Sequence, residues 1–284
     1  MDIEFIEHKN TANSFPVLGI RVDNLKKDKI IRKIERFLAE QQFHQIATVN
    51  AEFILEAQKN PKFKNILNNC DLNVADSISL KFAFWRFGKH LKARMAGADL
   101  VLEILRLAEK NNRSVFLACR KDGLSTFFEI KSTLLKIYPN LKIEGTDIDT
   151  KNIPYYILNT GYDILLCNFG APHQELFLNS QKNDSPPHLY KNNTEKIINN
   201  DLDRKKYSFS GLQNNRCGGK IRLAMGVGGS FDFLTGKLKR APRRMRKIGL
   251  EWLWRFIQEP RYRAKRIWKA LVVFPLKVIL CKEK

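Results

Sequence analysis

Hydrophobic residues recur along the chain with two alternating periods, which predict strands and helices in turn. Short apolar runs with the length of buried strands occupy 45–50, 72–75, 114–118, 141–144, 164–168 and 221–227. Apolar residues at helical spacing occupy the segments 28–41, 51–60, 79–87, 99–110 and 124–137. This alternation predicts an α/β fold with a mostly parallel, Rossmann-like sheet and flanking helices.

Several predicted strands end on a polar residue or a glycine. Thr48 and Asn50 lie at the end of one strand, Asp76 follows the next, and Gly170 follows a later one. Ligands of parallel α/β sheets bind beyond the carboxyl ends of the strands. We therefore expect a binding site at this edge of the sheet.

Two segments depart from the alternation. Residues 181–219 are rich in Asn, Asp, Lys and Ser and have little apolar periodicity, which predicts a surface insertion. In residues 236–284, Leu250, Leu253 and Trp254 begin an apolar helical stripe opposite polar and basic side chains. We therefore divide the chain into an α/β body over 1–235 and a basic, helical, amphipathic appendage over 236–284.

Most of the net charge lies in that appendage. The 50 Lys and Arg exceed the 29 Asp and Glu by 21, and residues 236–284 hold sixteen of these cations with only three Glu. Such a charge favours a polyanionic partner: a nucleic acid, an anionic membrane or a phosphorylated substrate. Because Trp residues are interleaved with the cations, we expect the appendage to contact an anionic membrane surface.

The cysteines and the first residues bear on the compartment. The five Cys include no C-x-x-C pair and no His at zinc spacing, which favours free thiols in a reducing compartment. Residues 1–20 have acidic side chains and no apolar run of signal-peptide length. No run approaches the length of a membrane span. We expect a cytoplasmic protein that is peripherally associated with the inner face of the cell membrane.

Four groups of motifs are specific when their order and spacing are taken together. They are TVNAEF at 48–53, AD at 75–76 with RMAGAD at 94–99, FGAPHQE at 169–175, and GVGGSFD at 226–232 followed by RAP at 240–242 and EWL at 251–253. Over residues 15–260, apart from the insertion, the chain resembles the WecG/TagA/CpsF glycosyltransferase family (glycosyltransferase family 26).

That resemblance implies an α/β fold of the type called GT-E, with the body as the catalytic domain. It implies transfer of a hexose or N-acetylhexosamine from a UDP-sugar to a polyprenyl-diphosphate-linked sugar, in cell-surface polysaccharide or teichoic acid biosynthesis. The commonest donor sugar of the family is N-acetylmannosamine, and the expected acceptor sugar is N-acetylglucosamine. UDP-glucose and UDP-mannosaminuronic acid are alternative donors.

Individual site residues follow from the same motifs. Asp76 matches the proposed general base, which would take the proton of the acceptor hydroxyl as it attacks the anomeric carbon. Asp76 also suits an N-cap of the helix predicted at 79–87, and the two roles are compatible. The matches to donor- or acceptor-binding positions are Thr48, Asn50, Arg94 and Gln174. Gly226 and Gly228 would let the backbone approach a sugar or phosphate, although a tight turn explains them equally well.

The departing UDP carries a diphosphate whose charge must be stabilised, and without a metal this falls to Arg, Lys and backbone N–H groups. In the family the C-terminal segment supplies arginines for this purpose, and the candidates are Arg255, Arg261, Arg263 and Arg266. Two D-x-D triplets, at 147–149 and 201–203, resemble cation-binding motifs of other glycosyltransferases, but chance explains them. The resemblance implies metal-independent transfer, so we expect no metal and no cofactor.

Three residues depart from the family pattern and leave alternatives open. Ser77 and Ser79 stand where the family usually has Gly, and His173 stands where it commonly has Lys. A catalytically silent scaffold of the same fold is therefore one alternative. A nucleic-acid-binding basic protein is the rival class, but the sequence has no helix-turn-helix or RNA-recognition signature, so we expect no nucleic acid. The oligomeric state, including a homo-oligomer, stays open.

Overall fold

The computed structural model describes residues 13–150, 161–182 and 221–281. Eight strands form one sheet: β1 (Ser14–Val17), β2 (Ile20–Asp23), β3 (His44–Val49), β4 (Leu72–Ala75), β5 (Val115–Arg120), β6 (Ile143–Ile148), β7 (Ile164–Cys167) and β8 (Leu223–Gly226). Their order is β1-β2-β4-β3-β8-β7-β5-β6. Among the described strands β1 pairs antiparallel with β2 and all other pairs are parallel. The predicted mostly parallel α/β sheet is confirmed. The predicted insertion lies outside the described residues from position 183 onward.

The helices of the body lie between the strands along the chain. They are α1 (Lys27–Ala39), α2 (Ala51–Ala57), α3 (Pro61–Asn69), α4 (Ile78–Arg86), α5 (Gly97–Lys110), α6 (Phe127–Ile137), α7 (His173–Ser180) and α8 (Ser230–Leu234). The prediction missed α3, which begins sharply because Asn60 accepts a hydrogen bond from Phe63 N at 3.0 Å and Pro61 occupies the first turn.

The C-terminal region is helical, as predicted. It consists of α9 (Arg243–Ile248), α10 (Glu251–Gln258), α11 (Pro260–Trp268), a π-helical turn (Lys269–Val273) and α12 (Phe274–Leu280). Phe274 and Val278 are fully buried in the same apolar cluster as Phe84 of α4. The division at residue 236 stays a prediction, but α12 packs against the body. None of the described helices is long and apolar enough to cross a membrane.

The central strands are buried on both faces, which is typical of parallel sheets. Ile46 and Val74 belong to a cluster with residues of α1 and α5, whereas Ala47 and Val49 pack with residues of α2, α3 and α4. Because both faces are covered, the edge where β3, β4, β7 and β8 end is where side chains of several strands meet near solvent.

Candidate active site

The ends of β3 and β4 bring two predicted site residues side by side. The Asn50 side-chain oxygen accepts hydrogen bonds from Glu52 N at 2.9 Å and Phe53 N at 3.1 Å, which starts α2. Asp76 N donates to Val49 O at 2.9 Å, because β3 and β4 are neighbouring parallel strands. Asn50 and Asp76 therefore lie on adjacent strand ends, as predicted.

The Asp76 carboxyl is half-buried and faces the start of α5. Its Oδ1 accepts a hydrogen bond from Gly97 N at 3.2 Å. The alternative role of Asp76, as N-cap of the helix predicted at 79–87, is wrong, because Ser77 is the N-cap residue of α4. Asp76 instead accepts from the backbone N–H of Gly97, the first residue of α5, and a carboxylate is favoured at a helix N-terminus.

Burial raises the pKa of Asp76 to about 6, while the Gly97 hydrogen bond and the charges of Arg94 and Arg255 lower it and Glu251 raises it. As a result of these opposing influences, the carboxyl titrates about one pH unit below neutral pH. A general base works best with a pKa near the operating pH, so Asp76 has the proton affinity that such a role requires.

Arg94 joins the Asp76 loop to the basic C-terminal region. Its guanidinium donates to Asp76 O at 3.1 Å and to Arg246 O at 2.7 Å. Both acceptors are neutral carbonyl oxygens, so no carboxylate is hydrogen-bonded to the Arg94 guanidinium among the described residues. Thr48, the third predicted residue at this end of the sheet, is buried and packs against Gly97, where an added Cβ would lie 3.3 Å from Thr48 Oγ1.

Gln174 fastens the loops that follow β7 and β8. Its Oε1 accepts hydrogen bonds from Gly170 N and Gly228 N, each at 3.1 Å, and its Nε2 donates to Glu175 Oε1 at 2.7 Å. Gly228 has a φ of +49°, a conformation that glycine adopts without strain. The side chain of Gln174 thus fixes the geometry of both loops at the predicted edge.

Glu175, the residue after Gln174 in α7, is 0% exposed. Burial raises its pKa to about 8, and its Oε2 has no hydrogen-bond partner among the described residues. Gly226 makes room for the pair, because a Cβ there would lie 2.3 Å from Gln174 Nε2 and 2.7 Å from Glu175 Oε1. Sequence reasoning quoted Glu175 in a motif but missed this position, although a carboxylate beside buried apolar residues of α7 is a signal for it.

The four arginines that are predicted to stabilise the diphosphate have different surroundings. The half-buried Arg255 guanidinium lies 4.9 Å from the Phe233 ring centroid, and its Nη2 is 3.3 Å from where a Cβ of Gly229 would be. Burial and the charges of Arg263 and Arg266 lower the pKa of Arg255 to about 10. Its Nε has no hydrogen-bond partner within the described residues.

The other three arginines are placed differently. Arg263 Nε donates to Glu259 at 2.7 Å, and Arg266 Nε donates to the Glu52 carboxylate at 2.8 Å. Arg261 is exposed, and its side chain forms no hydrogen bond or ion pair with the described part of the chain. The structure therefore brings Arg255 to the site edge, fastens Arg263 and Arg266 to carboxylates, and leaves Arg261 outside.

A sequence profile of the glycosyl transferase WecG/TagA/CpsF family matches residues 15–190 and 212–284. The chain belongs to this family. Among curated proteins, a Bacillus subtilis (strain 168) N-acetylglucosaminyldiphosphoundecaprenol N-acetyl-beta-D-mannosaminyltransferase is 28% identical over 253 residues, covering 87% of this chain and 80% of the relative. A Staphylococcus aureus (strain MRSA252) protein of the same name is 23% identical over 287 residues, covering 98% of this chain and 97% of the relative.

The three residues that depart from the WecG/TagA/CpsF pattern lie within the described part of the chain. Ser79 is buried, and its hydroxyl donates to Ala270 O in the π-helical turn at 3.3 Å, which links α4 to the C-terminal region. Ser77 Oγ is buried without a hydrogen-bond partner in the described ranges. His173 is exposed at the first position of α7. Neither serine side chain interrupts the Asp76–Gly97 hydrogen bond.

The basic region of this WecG/TagA/CpsF member is anchored by contacts that sequence reasoning missed. Arg240 Nη2 donates to Asp99 Oδ1 at 2.6 Å, and Arg246 Nη1 lies 3.6 Å from the same oxygen. Asp99 lies in the first turn of α5, immediately after the Asp76 contact at Gly97. The RAP and RMAGAD motifs therefore belong to one cluster.

The D-x-D triplet at 147–149 is separated from β8 by the strands β7 and β5. It falls at the end of β6, an edge strand, and Asp147 Oδ1 accepts a hydrogen bond from Phe127 N at 2.8 Å. The triplet at 201–203 lies outside the described residues. Within the described ranges no group of three or more His, Cys, Asp or Glu side chains has the arrangement of a metal site.

Proposed function

We propose that this chain is an inverting glycosyltransferase that transfers N-acetylmannosamine from UDP-N-acetylmannosamine to a polyprenyl-diphosphate-linked N-acetylglucosamine. The observation that carries the proposal is the half-buried Asp76, with a pKa near 6, at a strand end that Arg94 and Arg255 make electropositive. Membership of the family and the names of the relatives support the sugar and acceptor.

Each group has a role in the proposed transfer. The ionised Asp76 carboxylate takes the proton of the acceptor hydroxyl as its oxygen forms a bond to the anomeric carbon. The bond from that carbon to the UDP phosphate oxygen breaks on the opposite side, and its electron pair leaves with UDP. Inversion follows because one displacement occurs at the anomeric carbon.

Arginines stabilise the negative charge that develops on the departing diphosphate. Arg94 and Arg255 are suited to this role because their charges are not paired with carboxylates in the described hydrogen bonds and ion pairs, and partial burial strengthens their attraction to an anion. Arg263 and Arg266 would contribute only after leaving Glu259 and Glu52. We place Arg255 first among the four candidates.

The proposed setting is the inner face of the cell membrane, with the protein associated peripherally through its basic C-terminal region. A polyprenyl-linked acceptor cannot leave the bilayer, so the enzyme must reach it there.

The test is a panel of UDP-N-acetylmannosamine, UDP-glucose and UDP-mannosaminuronic acid. Each donor is incubated with a polyprenyl-diphosphate N-acetylglucosamine analogue, and the product mass is measured. We expect the mass of one added N-acetylmannosamine, with no metal requirement in EDTA. A product from another donor alone would replace the sugar assignment, and no product from any donor would refute the transferase.

A further inference from the structure

Helix α4 carries an apolar surface that the proposed chemistry does not use. Trp85 is 71% exposed although it lies in a helix whose Leu80 and Phe84 are fully buried. A groove of about 390 Å³ runs beside it, with apolar walls from Ile78, Phe82, Trp85 and Leu91. A large aromatic side chain at the edge of an apolar groove is typical of a contact surface.

Helix α12, which packs against α4, also carries exposed apolar side chains. Phe274 and Val278 attach α12 to the body, and Arg86 Nη2 donates to Ile279 O at 3.2 Å. The described residues leave the other side of α12 exposed, since Leu276 is 52%, Ile279 46% and Leu280 78% exposed. Two helices that are distant in sequence and pack against each other therefore both display apolar side chains.

The charged side chains on α4, on the loop after it and on α12 are all cations. Residues 77–98 contain Lys81, Arg86, Lys89, Lys92 and Arg94 and no Asp or Glu. Lys81 and Lys89 line the groove, and both are exposed. Lys277 adds an exposed cation on α12. Apolar side chains ringed by cations complement a lipid surface that carries anionic headgroups over hydrocarbon.

We propose that the α4–α12 face, formed by Ile78, Phe82, Trp85, Leu276, Ile279 and Leu280 with Lys81, Arg86 and Lys89 at its rim, docks on an anionic lipid bilayer. The inference rests on the proposed function only in taking a lipid surface as the occupant. Its consequence is that the membrane contact is shared between the body and the C-terminal region, with α4 supplying a tryptophan anchor. Ile78 follows Asp76 by two positions, so docking would bring the base close to the bilayer surface.

Point variants test this face better than a C-terminal truncation, which would remove Phe274 and Val278 from the core. The full chain, without substrates, is sedimented with vesicles of phosphatidylglycerol and phosphatidylcholine and with vesicles of phosphatidylcholine alone. We expect Trp85→Ser and the double variant Lys81→Glu/Lys89→Glu each to weaken binding to the anionic vesicles by about tenfold or more. The matched control is Phe128→Ser, because Phe128 of α6 is a 77% exposed aromatic residue on another helix of the body; its binding should equal wild type.

Unchanged binding of Trp85→Ser and of the double charge variant would overturn the proposal, as would an equal loss in Phe128→Ser. A fall in the mass of the free protein with Trp85→Ser, at unchanged vesicle binding, would show an interface between copies instead and also overturn it. Transfer to a short-chain, water-soluble acceptor should be the same for wild type and Trp85→Ser. Vesicle binding by a wild type that transfers no sugar would refute the proposed function and leave the lipid face standing.

Discussion

Asp76 and Glu175 are two carboxyl groups at the same edge of the sheet, and burial raises the pKa of both. Asp76 reaches about 6 because Arg94, Arg255 and the Gly97 N–H moderate the effect, whereas Glu175 reaches about 8 with only hydrogen bonds to oppose it. Asp76 is half-buried and Glu175 has no exposed surface. The comparison shows that burial alone does not make a catalytic carboxyl, because access and neighbouring cations decide whether its proton can be exchanged at neutral pH.

The largest expected effect comes from replacing Asp76 by asparagine. Asp76→Asn keeps an oxygen that can accept from Gly97 N but removes the proton acceptor, so transfer should fall by about 10²–10⁴-fold. The free energy of unfolding, measured by urea titration near pH 4, should change little, because at that pH the wild-type carboxyl is also neutral in the folded protein. Asp76→Ala is the matched variant: it should lose the same activity and be about 1 kcal/mol less stable than Asp76→Asn, because it lacks the acceptor for Gly97 N. Near-normal turnover by Asp76→Asn would show that Asp76 is not the general base.

Replacing Arg255 should make the surroundings of Asp76 more like those of Glu175. Arg255→Ala removes a cation that lowers the pKa of Asp76 and that faces the proposed diphosphate site, so kcat/KM should fall by about 10²-fold. Arg261→Ala is the control, because it removes the same charge from an exposed position of the same region and should change kcat/KM by less than about threefold. Equal losses in the two variants would indicate a general effect of basic charge.

The pH dependence of transfer separates the two carboxyls further. Asp76 acts as a base only when ionised, so kcat/KM should fall by about tenfold per pH unit below pH 6 and level off above it. In Arg255→Ala this limb should move to higher pH, because the pKa of Asp76 loses a lowering influence. A limb that stays in place would mean that Arg255 does not act on Asp76, and a limb near pH 8 would point to Glu175 as the titrating group.

The last effect is on stability rather than on transfer, and it concerns Glu175. In the unfolded chain this carboxyl ionises near pH 4.5, whereas in the folded protein it keeps its proton to about pH 8. Stability from the neutral form is complete below pH 4.5 and is lost as pH rises to 8, because only the unfolded state ionises in that window. Glu175→Gln is neutral and keeps the acceptor for Gln174 Nε2.

Relative to wild type, Glu175→Gln should therefore gain stability between pH 5 and pH 8, on the order of a few kcal/mol in urea unfolding. In Asp76→Asn the corresponding gain should end near pH 6, since the folded-state pKa of Asp76 is lower. If the free energies of unfolding of wild type and Glu175→Gln change in parallel with pH, the folded protein does not hold the Glu175 carboxyl neutral.

Much of the Asp76 side of the site could be predicted from the sequence, because local signals define it. The apolar run at 72–75 coincides with β4, and a polar residue after a parallel strand lies at the ligand-binding edge. The β1–β2 hairpin was not predicted, because its four-residue strands and Pro16 lack a clear pattern. The break between α2 and α3 was missed although Asn60-Pro61 is a local signal for it.

The Glu175 side could not be predicted in the same way, because it depends on which strands become neighbours. Gln174 can fasten two loops only because β7 and β8 pair in the sheet, and Gly226 clears space for a side chain that follows another strand. The contact of Arg266 with Glu52 spans 214 positions, and no spacing rule reaches that far. Sequence patterns identify the participants, whereas the order of strands decides the contacts between them.

The contact between Arg266 and Glu52 also has a consequence for biosynthesis. Translation proceeds at about 5–20 residues per second, so roughly 8–34 s separate the synthesis of Gly97 from that of Arg266. During that interval the emerging chain has Asn50, Asp76 and Arg94 but neither Arg255 nor the helices that contact them. The edge that holds the proposed base is therefore open on the ribosome and closes only when the basic region arrives. A nascent chain arrested before α10 would present an unfinished binding surface to whatever folding factors or membranes are nearby.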